Sequence, residues 1–469
     1  MKDKKFQDFS PVDKQTWIDQ AIKDLKGEDF EQRLITKSME DFSIFPFYTA
    51  EDAEAINWVK EYENQVNPPS GIPGMPPRIW ANAVKVGGES EEASHEEIRF
   101  VLESGADGLI VELSGKEDLD EVFKDVLLQY IQIWIKPVGD PSKGLLAFFE
   151  WVDRQSIDHP HLNGGVLWDG LVQGFDQPIQ LKEQLDKVLF LHELSKPYPH
   201  FKSICLDTAT YHNAGATAVQ EIGYGMAALV ELMDGLTEKG AKPDAVFQDL
   251  FLFTAVGSNY FMEIAKLKTF RMAMHQLSSL YQVALKPEDL QIFTRSSVWS
   301  KSRMGLSNNL LRNTTEAMSA ILGGCNTLFV EPHDKCFKSP DAFSKRMARN
   351  ISNILKEECY FDKVIDPAAG SYYVENLIHS LQEHSFQLLE SLEDEGGWWQ
   401  AYQKNKIQET IKAVRRKKFD LLANGENLMV GVNQYVDFRE EKAYAREDYP
   451  EEAYQLKPFS QSFPVERTL

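Results

Sequence analysis

The sequence predicts a parallel (β/α)8 barrel with an N-terminal helical arm and a C-terminal helical extension. Eight short apolar runs typical of buried strands recur between residue 79 and about residue 357, and each interval leaves room for a helix. The number of units and their combined length match a closed barrel. An open, doubly wound sheet is the alternative, but no GxGxxG motif follows the first strand.

Residues 1–77 precede the repeating pattern and predict a helical arm followed by a linker. Ser10-Pro11 is typical of a helix start, with serine at the cap and proline at the first helical position. The apolar stripe that follows is expected to end at Gly27. The segment NPPSGIPGMPP at residues 67–77 predicts the linker, because proline and glycine interrupt regular structure.

Residues 78–357 are expected to form the barrel, with one strand and one helix in each unit. The fifth unit shows the pattern most clearly: an apolar run ends at the polar turn around His212, and a helix with apolar residues at three- and four-residue steps follows. The predicted strands are residues 79–86, 108–113, 131–138, 165–171, 203–209, 246–254, 291–297 and 327–332.

Residues 358–469 depart from the barrel pattern and predict a helical extension with an aromatic-rich tail. Charged helical sequence continues to about residue 422. The tail carries aromatic residues that a solvated segment would seldom hold, so it is expected to cover a surface, either of its own barrel or of a partner chain. These aromatic residues are Tyr435, Phe438, Tyr444, Tyr449, Tyr454, Phe459 and Phe463.

The composition indicates an acidic cytoplasmic protein. The formal net charge of −22 disfavours nucleic acid, anionic membranes and phosphate-rich ligands. The one basic run, Arg-Arg-Lys-Lys at residues 415–418, is interpreted as a solvated helix face. The four cysteines form no CxxC pair, so neither a disulfide framework nor a zinc site is expected. The N-terminus lacks the apolar run of a signal peptide, and no apolar stretch is long enough for a membrane span.

Polar residues at the predicted strand ends are the candidates for chemistry, because active sites of such barrels lie at the carboxyl ends of the strands. Their carboxylates could hold a divalent metal, with a lysine as base. The alternative is that inward-facing charges pair with one another, and no ligand-spacing motif argues against it. The candidates are Lys85, Glu112, Lys136, Asp169, Asp207, His212, Asp249, Arg295 and Glu331.

Several longer segments resemble the methylmalonyl-coenzyme A mutase family. TYHNAGATAVQEIGYGMA at residues 210–227 is similar to the family's Tyr-His…Ala-Gly-Ala-Thr segment. The early segments 24–31 (DLKGEDFE) and 45–52 (FPFYTAED) are similar to the small subunit of the two-chain bacterial enzymes. Further segments with counterparts in the same order are SNYFMEIAKLKTFRM (258–272), NNLLRNTTEAMSAILGG (308–324), FSKRMARNISNILKEE (343–358), DPAAGSYYVE (366–375) and GVNQY (431–435).

The resemblance implies a barrel that binds an acyl-coenzyme A along its axis and a separate flavodoxin-like domain that binds adenosylcobalamin. The cofactor starts a radical rearrangement that interconverts methylmalonyl-CoA and succinyl-CoA. The cobalamin domain's signature, Asp-x-His-x-x-Gly, is missing: none of the ten histidines has an aspartate two residues before it. We therefore expect no cobalamin-binding domain, no bound cofactor and no metal in this chain.

The barrel also departs from the catalytic pattern. Catalytic members carry an Arg-Gln-Tyr run on the first strand, where this chain has residues 83–86, Ala-Val-Lys-Val, including Lys85. Trp168 stands in place of a glutamine near the thioester, and its bulk would fill that space. Asp249 replaces a coenzyme A-binding arginine, which turns attraction for an anion into repulsion.

The seventh strand has lost the family's His…Gln pair. Its counterparts here are Arg295 and either Ser296 or Ser297. Only Tyr211 and His212 survive of the polar set, as vestigial catalytic candidates. A radical site tolerates few such losses, because the rate depends on precise placement of the reacting atoms.

The sequence thus predicts the small, catalytically silent subunit of a heterodimeric mutase. Its partner would be a large catalytic subunit that carries adenosylcobalamin, which the small subunit would complete and stabilise. One alternative is a stand-alone metal-assisted enzyme using Glu112, Asp169, Asp207, Asp249 and Glu331. Another is an acyl-CoA-binding module at His212. The barrel axis could be open or plugged by side chains such as Trp168.

Overall fold

The computed structural model describes residues 12–54, 56, 65–70, 74–155, 157–437 and 451–466. The predicted helix start at Ser10-Pro11 and the tail residues Phe438, Tyr444 and Tyr449 lie outside the described residues. In the arm, the first described helix is Lys14–Asp24. It is capped by Asp13, whose side chain accepts a hydrogen bond from the Thr16 amide.

The rest of the described arm is short and irregular. Two further helices span Phe30–Leu34 and Ala50–Glu54. Between them, Thr36–Lys37 and Ser43–Ile44 form a two-stranded antiparallel ribbon. The arm also caps a barrel helix, because the Glu40 carboxylate accepts hydrogen bonds from the amides of Ala218 and Val219 at the start of that helix.

Eight parallel strands form the barrel, and the predicted fold class is confirmed. The fifth strand is interrupted at Ser203. Its first segment pairs with the fourth strand and its second segment with the sixth. The eighth strand pairs with the first, so the ring closes. The strands are β1 (Ala81–Val86), β2 (Gly108–Leu113), β3 (Gln132–Pro137), β4 (Asn163–Val166), β5 (Phe201–Lys202 and Ile204–Asp207), β6 (Leu250–Val256), β7 (Gln291–Ser296) and β8 (Thr327–Phe329).

A helix follows each strand and covers the outside of the ring. In the fifth unit a short helix, Ala209–Asn213, comes first, and Thr217 then begins the long helix with a capping box to Gln220. The barrel helices are α1 (Glu91–Glu103), α2 (Leu119–Val122), α3 (Pro141–Val152), α4 (Leu181–Ser195), α5 (Ala218–Glu238), α6 (Tyr260–Leu280), α7 (Asn308–Leu322) and α8 (Ala342–Glu357).

Two predicted strands differ from the observed ones by four or more residues at one end. The fourth ends at Val166 rather than at residue 171, and a 3₁₀ helix follows at Val172–Phe175. The sixth begins at Leu250 rather than at residue 246, because Pro243 starts a short helix that runs to Asp249. Asp249 therefore lies at the amino-terminal end of β6, away from the carboxyl ends of the strands.

Four helices after the barrel complete the described fold: α9 (Tyr372–Asp394), α10 (Gly397–Gln403), α11 (Lys406–Ala423) and the short α12 (Phe463–Glu466). Leu377 and Leu381 of α9 belong to the same buried cluster as Leu229 of α5 and Leu267 of α6. The extension and the barrel therefore share one hydrophobic core. Among the described residues, no helix has the length and apolar character that a membrane crossing requires.

The C-terminal strap, residues 451–466, packs on the chain's own barrel. The Phe459 amide donates to the Asn213 carbonyl at 2.8 Å, and the Gln461 amide donates to the Trp299 carbonyl at 2.7 Å. The Arg415 guanidinium forms an ion pair with Glu451 and lies 4.2 Å from the centre of the Phe459 ring. For these residues, the structure answers the question left open by the sequence: they cover their own barrel.

Candidate functional site

The carboxyl ends of the barrel strands open into a cavity of about 960 Å³. Charged side chains from neighbouring strands line it in pairs. Lys85 of β1 and Lys136 of β3 both donate to the same oxygen of Glu112 on β2, at 2.8 and 2.9 Å. Partial burial raises the pKa of Glu112, but the hydrogen bonds from the two lysines outweigh it and hold that pKa below its usual range.

Opposite them, Arg295 of β7 forms an ion pair with Glu331, just after β8, at 2.5 Å. Asp207, at the end of β5, also lines the cavity and accepts a hydrogen bond from the Thr210 hydroxyl at 2.9 Å. The mouth therefore presents charges of both signs that are largely engaged with one another, as the pairing alternative predicts.

Below the mouth, the barrel axis is filled by a layer of apolar side chains. Trp134 of β3 lies in this layer, with its ring centre 5.0 Å from that of Phe251 and 4.8 Å from that of Phe293. Each strand contributes one member, the fourth through the residue that follows it. The layer consists of Ala83, Ile110, Trp134, Leu167, Cys205, Phe251, Phe293 and Phe329, with Phe253 packed against it.

Trp168 is not the side chain that plugs the axis, so that expectation is wrong. It packs against the two apolar clusters between the sheet and the helices, and it does not line the mouth cavity. The reason is the alternation of side chains along the chain after β4: Leu167 faces the axial layer, and the next residue faces outward. Trp134 and its phenylalanine neighbours occupy the axis instead.

His212 is enclosed rather than exposed at the rim. Only 6% of the residue is accessible, and both ring nitrogens have partners: Nδ1 lies 2.7 Å from Glu221 and Nε2 lies 2.8 Å from the Ser297 hydroxyl. Burial and the nearby Lys266 ammonium lower the pKa of His212 well below its usual value. A neutral ring that donates from Nδ1 and accepts at Nε2 satisfies both contacts.

The Ser297–His212–Glu221 chain has the hydrogen-bond order of a nucleophile, a base and an orienting acid. Ser297, however, is fully buried and does not line the mouth cavity, so a substrate in that cavity cannot reach its hydroxyl. Glu221, the orienting acid of this chain, is also paired with a cation. The Lys266 ammonium donates to Glu221 at 2.7 Å and pairs with Glu263 at 2.6 Å. This arrangement is suited to fixing the loops after β5 and β7 together.

Tyr211 is buried as well. Its hydroxyl accepts a hydrogen bond from the Trp398 indole nitrogen at 2.9 Å, and its ring packs against Phe175 and Tyr224. Burial raises the pKa of the Tyr211 hydroxyl well above its usual value. The two residues that survive from the family's polar set therefore face the protein interior and not the cavity.

The five carboxylates proposed for a metal do not converge. The expectation that Asp249 lies at the mouth is wrong: it accepts from the Ser203 amide and contacts His192 at the opposite end of the barrel. Asp169 instead accepts from the amides of Leu171 and Asp207, at 2.8 and 2.9 Å. In the described part of the chain, no group of three or more His, Cys, Asp or Glu side chains is arranged to hold a metal.

Adenosylcobalamin does not fit the residues of this mouth as a cobalt ligand set. No histidine lines the cavity, and both nitrogens of the nearby His212 are already hydrogen-bonded and buried. No step of the reaction is therefore assigned to a cobalt bound by the described residues of this chain.

The sequence missed the residues that close this site. Trp134 lies in a run that is apolar on both faces, so the side facing the axis could not be identified from the pattern. Glu221 and Lys266 gave a fainter signal, since each is a charged residue in a helix rich in buried apolar residues. Buried charges of this kind require partners, and their pairing could have been anticipated but not assigned.

Comparison with known proteins agrees with the architecture. The family profile described as methylmalonyl-CoA mutase matches residues 82–461. The chain is 34% identical over 450 residues to the methylmalonyl-CoA mutase small subunit of Porphyromonas gingivalis, covering 94% of this chain and 72% of that protein. It is 25% identical to the small subunit of Streptomyces virginiae, covering 88% and 67% of the two chains.

A full-length mutase is matched in part. The methylmalonyl-CoA mutase of Cereibacter sphaeroides is 28% identical, and the match covers 90% of this chain but 64% of that protein. The match to the family profile includes all but the first residue of the barrel strands and reaches into the C-terminal strap. The chain belongs to the methylmalonyl-CoA mutase family.

Proposed function

We propose that this chain is the catalytically silent small subunit of a methylmalonyl-CoA mutase. In this proposal a large subunit binds adenosylcobalamin and interconverts methylmalonyl-CoA and succinyl-CoA, and the present chain completes and stabilises it. The chain itself holds no cofactor and no metal. A cytoplasmic location is part of the proposal, and the four free cysteines support it.

The filled barrel axis is the observation that carries the proposal of silence. The family resemblance implies an acyl-coenzyme A threaded along the axis, yet Trp134, Phe251 and Phe293 occupy that path with exposures of 3% or less. A close-packed protein interior does not open a channel without a large rearrangement of its side chains. A radical reaction also requires reacting atoms held in fixed positions, which a path closed by aromatic rings does not provide.

The mouth supports the same conclusion through its charges. Lys85 and Lys136 are engaged with Glu112, and Arg295 is engaged with Glu331. A substrate carboxylate would have to compete with these internal partners for each cation. His212, the surviving family histidine, is held between Glu221 and Ser297.

The assembly role rests on relatives and on one exposed aromatic surface. The relatives named small and large subunits in Streptomyces virginiae indicate that the family includes two-subunit enzymes. On this chain, Phe45 of the arm and Phe261 of α6 are 41% and 50% exposed, and the rings of Tyr48 and Tyr373 connect them. Together with Phe47 and Tyr372, each 39% exposed, we call these two phenylalanines the arm patch. Exposed aromatic side chains of this kind are enriched at protein interfaces, so we assign the arm patch to the contact with the large subunit.

The first test measures cobalamin binding and turnover by the isolated chain. We expect no saturable change in the absorbance of adenosylcobalamin on titration, and no conversion of succinyl-CoA when cofactor is present. A stoichiometric cobalamin complex, or turnover by this polypeptide alone, would contradict the proposal.

The second test measures assembly. We expect the chain to copurify in equal amounts with a large subunit from the same genome, identified by its Asp-x-His-x-x-Gly motif. The double variant F45S/F261S in the arm patch should weaken copurification, whereas F190S, a similarly exposed phenylalanine on α4, should not. Equal retention of both variants would show that the arm patch is not the interface.

Thermal unfolding distinguishes the silent subunit from the alternative of an acyl-CoA-binding module. A ligand that binds only the folded state raises the unfolding midpoint. We expect succinyl-CoA to raise the midpoint of the isolated chain no further than free succinate or inorganic phosphate does, since His212 is enclosed and the axis is filled. A saturable rise beyond that of these small anions would favour the binding module over a silent subunit.

A further inference from the structure

The mouth cavity is lined not only by residues of the strands but also by residues of the helices α1 and α8. On that side its lining includes Val86 of β1, Ser94 and Ile98 of α1, and Lys345 and Arg349 of α8. We call this part of the cavity the α1–α8 crevice. It is separate from the apolar layer that closes the axis, so what it binds does not depend on the silence proposed above.

Arg349 is the unusual residue of the α1–α8 crevice. It is 6% exposed, and its Nε is buried without a hydrogen-bond partner. Its guanidinium rests against the Phe100 ring, 5.2 Å from the ring centre. Within the described chain, no carboxylate forms an ion pair with it. Burial and the neighbouring Arg346 guanidinium lower the pKa of Arg349.

The other buried cations of the described chain show how unusual this is. All of them have oxygen partners: Lys266, Lys268, Lys301 and Arg415 pair with carboxylates, and Arg78 and Arg271 donate to backbone carbonyls. A cation removed from water is stable only when an anion or a set of acceptors compensates for the lost hydration. Arg349 has no such compensation from the protein.

The surroundings of Arg349 leave room for an anion that comes from outside. Lys345 is already neutralised by Glu97 at 2.6 Å. Lys335, from the loop between β8 and α8, lines the same cavity, is exposed and forms no ion pair within the described residues. One enclosed guanidinium and one exposed ammonium therefore line the same cavity, and among the described residues neither forms an ion pair with a carboxylate.

We propose that the α1–α8 crevice binds the oxyanion group of a small molecule, with Arg349 as the principal contact and Lys335 as the second cation. A planar guanidinium offers two parallel N–H groups that match a carboxylate or a phosphate. The net charge of −22 opposes a polyphosphate, so the ligand carries one such group. A phosphomonoester and a carboxylic acid share this chemistry, and the experiment separates them.

The test measures anion binding to the full chain by calorimetry and by thermal unfolding, at constant ionic strength maintained with chloride. The probes are inorganic phosphate and succinate. We expect saturable binding of at least one probe in the millimolar range, with a raised unfolding midpoint. Binding of phosphate alone identifies the phosphomonoester class, and binding of succinate alone identifies the carboxylate class.

Variants on α8 locate the site. R349Q should abolish binding, and R349K should weaken it by about tenfold because a lysine lacks the two-pronged donor. R346Q is the matched control: Arg346 is exposed on the same helix and does not line the cavity, so binding should persist.

Two results would overturn the assignment: no saturable binding of either probe by the unaltered chain, or equal binding by R349Q and the unaltered chain. R349Q is expected to fold, because it removes an uncompensated buried charge. Should it fail to fold, R349K decides the question, since it keeps the charge and changes the geometry.

Discussion

Trp134 shows how one side chain decides what the barrel can hold. It comes from a strand that is buried on both faces: Ile133 and Ile135 pack against the helices, while Trp134 points to the axis. In a parallel barrel both faces of a strand are covered, so the apolar run is continuous in the sequence. The strand could be predicted from that run, but the identity of the residue that fills the axis required the register.

Replacing Trp134 by alanine should destabilise the fold severely. The side chain is 3% exposed and contacts two phenylalanine rings, so its removal leaves a large internal cavity. We expect a loss of about 3–5 kcal/mol in the free energy of unfolding, measured with urea. Y130A is the control, because Tyr130 is 77% exposed just before the same strand and its loss should change stability by less than about 0.5 kcal/mol.

Asp169 predicts a pH dependence of stability. Burial, opposed by the hydrogen bond from the Asp207 amide and reinforced by the Asp207 carboxylate, raises the pKa of Asp169 to about 7. In the unfolded chain this pKa is near 4. Between these values the folded protein holds a proton that the unfolded chain has lost, so its contribution to stability is greatest below pH 4 and is lost as the pH rises through 7.

We therefore expect the free energy of unfolding to fall between about pH 4 and pH 7, by up to about 1.4 kcal/mol per pH unit from this group alone. D169N should flatten that slope, because the amide does not titrate. D341N should leave it unchanged, since the Lys338 ammonium keeps the pKa of Asp341 at about 2. Urea unfolding at several pH values measures the slope; an unchanged slope in D169N would contradict the assignment.

The C-terminal strap is anchored in part by one buried cation. Arg415 of α11 is 6% exposed, pairs with Glu451 and stacks on Phe459. R415A should cost about 3–5 kcal/mol, because it removes the close cationic partner of the partly buried Glu451 and leaves only Lys412, at 3.9 Å. R416A, which changes the exposed neighbour, should cost less than about 0.5 kcal/mol. Urea unfolding compares the two; similar losses would mean that the strap does not depend on Arg415.

The same helix shows where sequence patterns stop. The basic run at residues 415–418 was expected to be a solvated face, yet Arg415 is buried and Lys418 donates to the carbonyls of Gly215 and Ala216. A run of charged residues predicts a solvent-exposed helix face, because the sequence pattern gives no information about which distant residues the charges will contact. Here the partners lie some 200 residues earlier and in the C-terminal strap, distances over which local periodicity carries no information.

Strands were the elements that the sequence predicted best. All eight were anticipated, because apolar runs of this length separated by helical intervals have few alternatives. The predicted start of β6 was wrong for a local reason. The apolar residues within 246–249 favour a strand, but Pro243 begins a helix that includes them. That shift of four residues moved Asp249 from one end of the barrel to the other.

At the scale of the whole chain, the barrel and the extension share one hydrophobic core, so we expect them to unfold as one cooperative unit. The α9 residues Leu377, Leu381 and Leu392 are at most 1% exposed and pack in the same cluster as the helices α5 and α6. Trp398 of α10 is fully buried and donates to the Tyr211 hydroxyl beside β5. The division at residue 357 stays a prediction about sequence pattern, and the shared core argues against independent folding of residues 78–357.

Truncation tests this cooperativity. A chain that ends at residue 357 would expose the apolar faces of α5 and α6 that α9 covers, so we expect it to lose fixed side-chain packing while keeping helical content. A chain that ends at residue 437 removes the C-terminal strap but keeps α9, α10 and α11, and should retain cooperative unfolding at reduced stability. Near- and far-ultraviolet circular dichroism separates the two outcomes. Cooperative unfolding of the shorter chain would show instead that the barrel is stable without its extension, and that the shared core is an addition to a domain already complete.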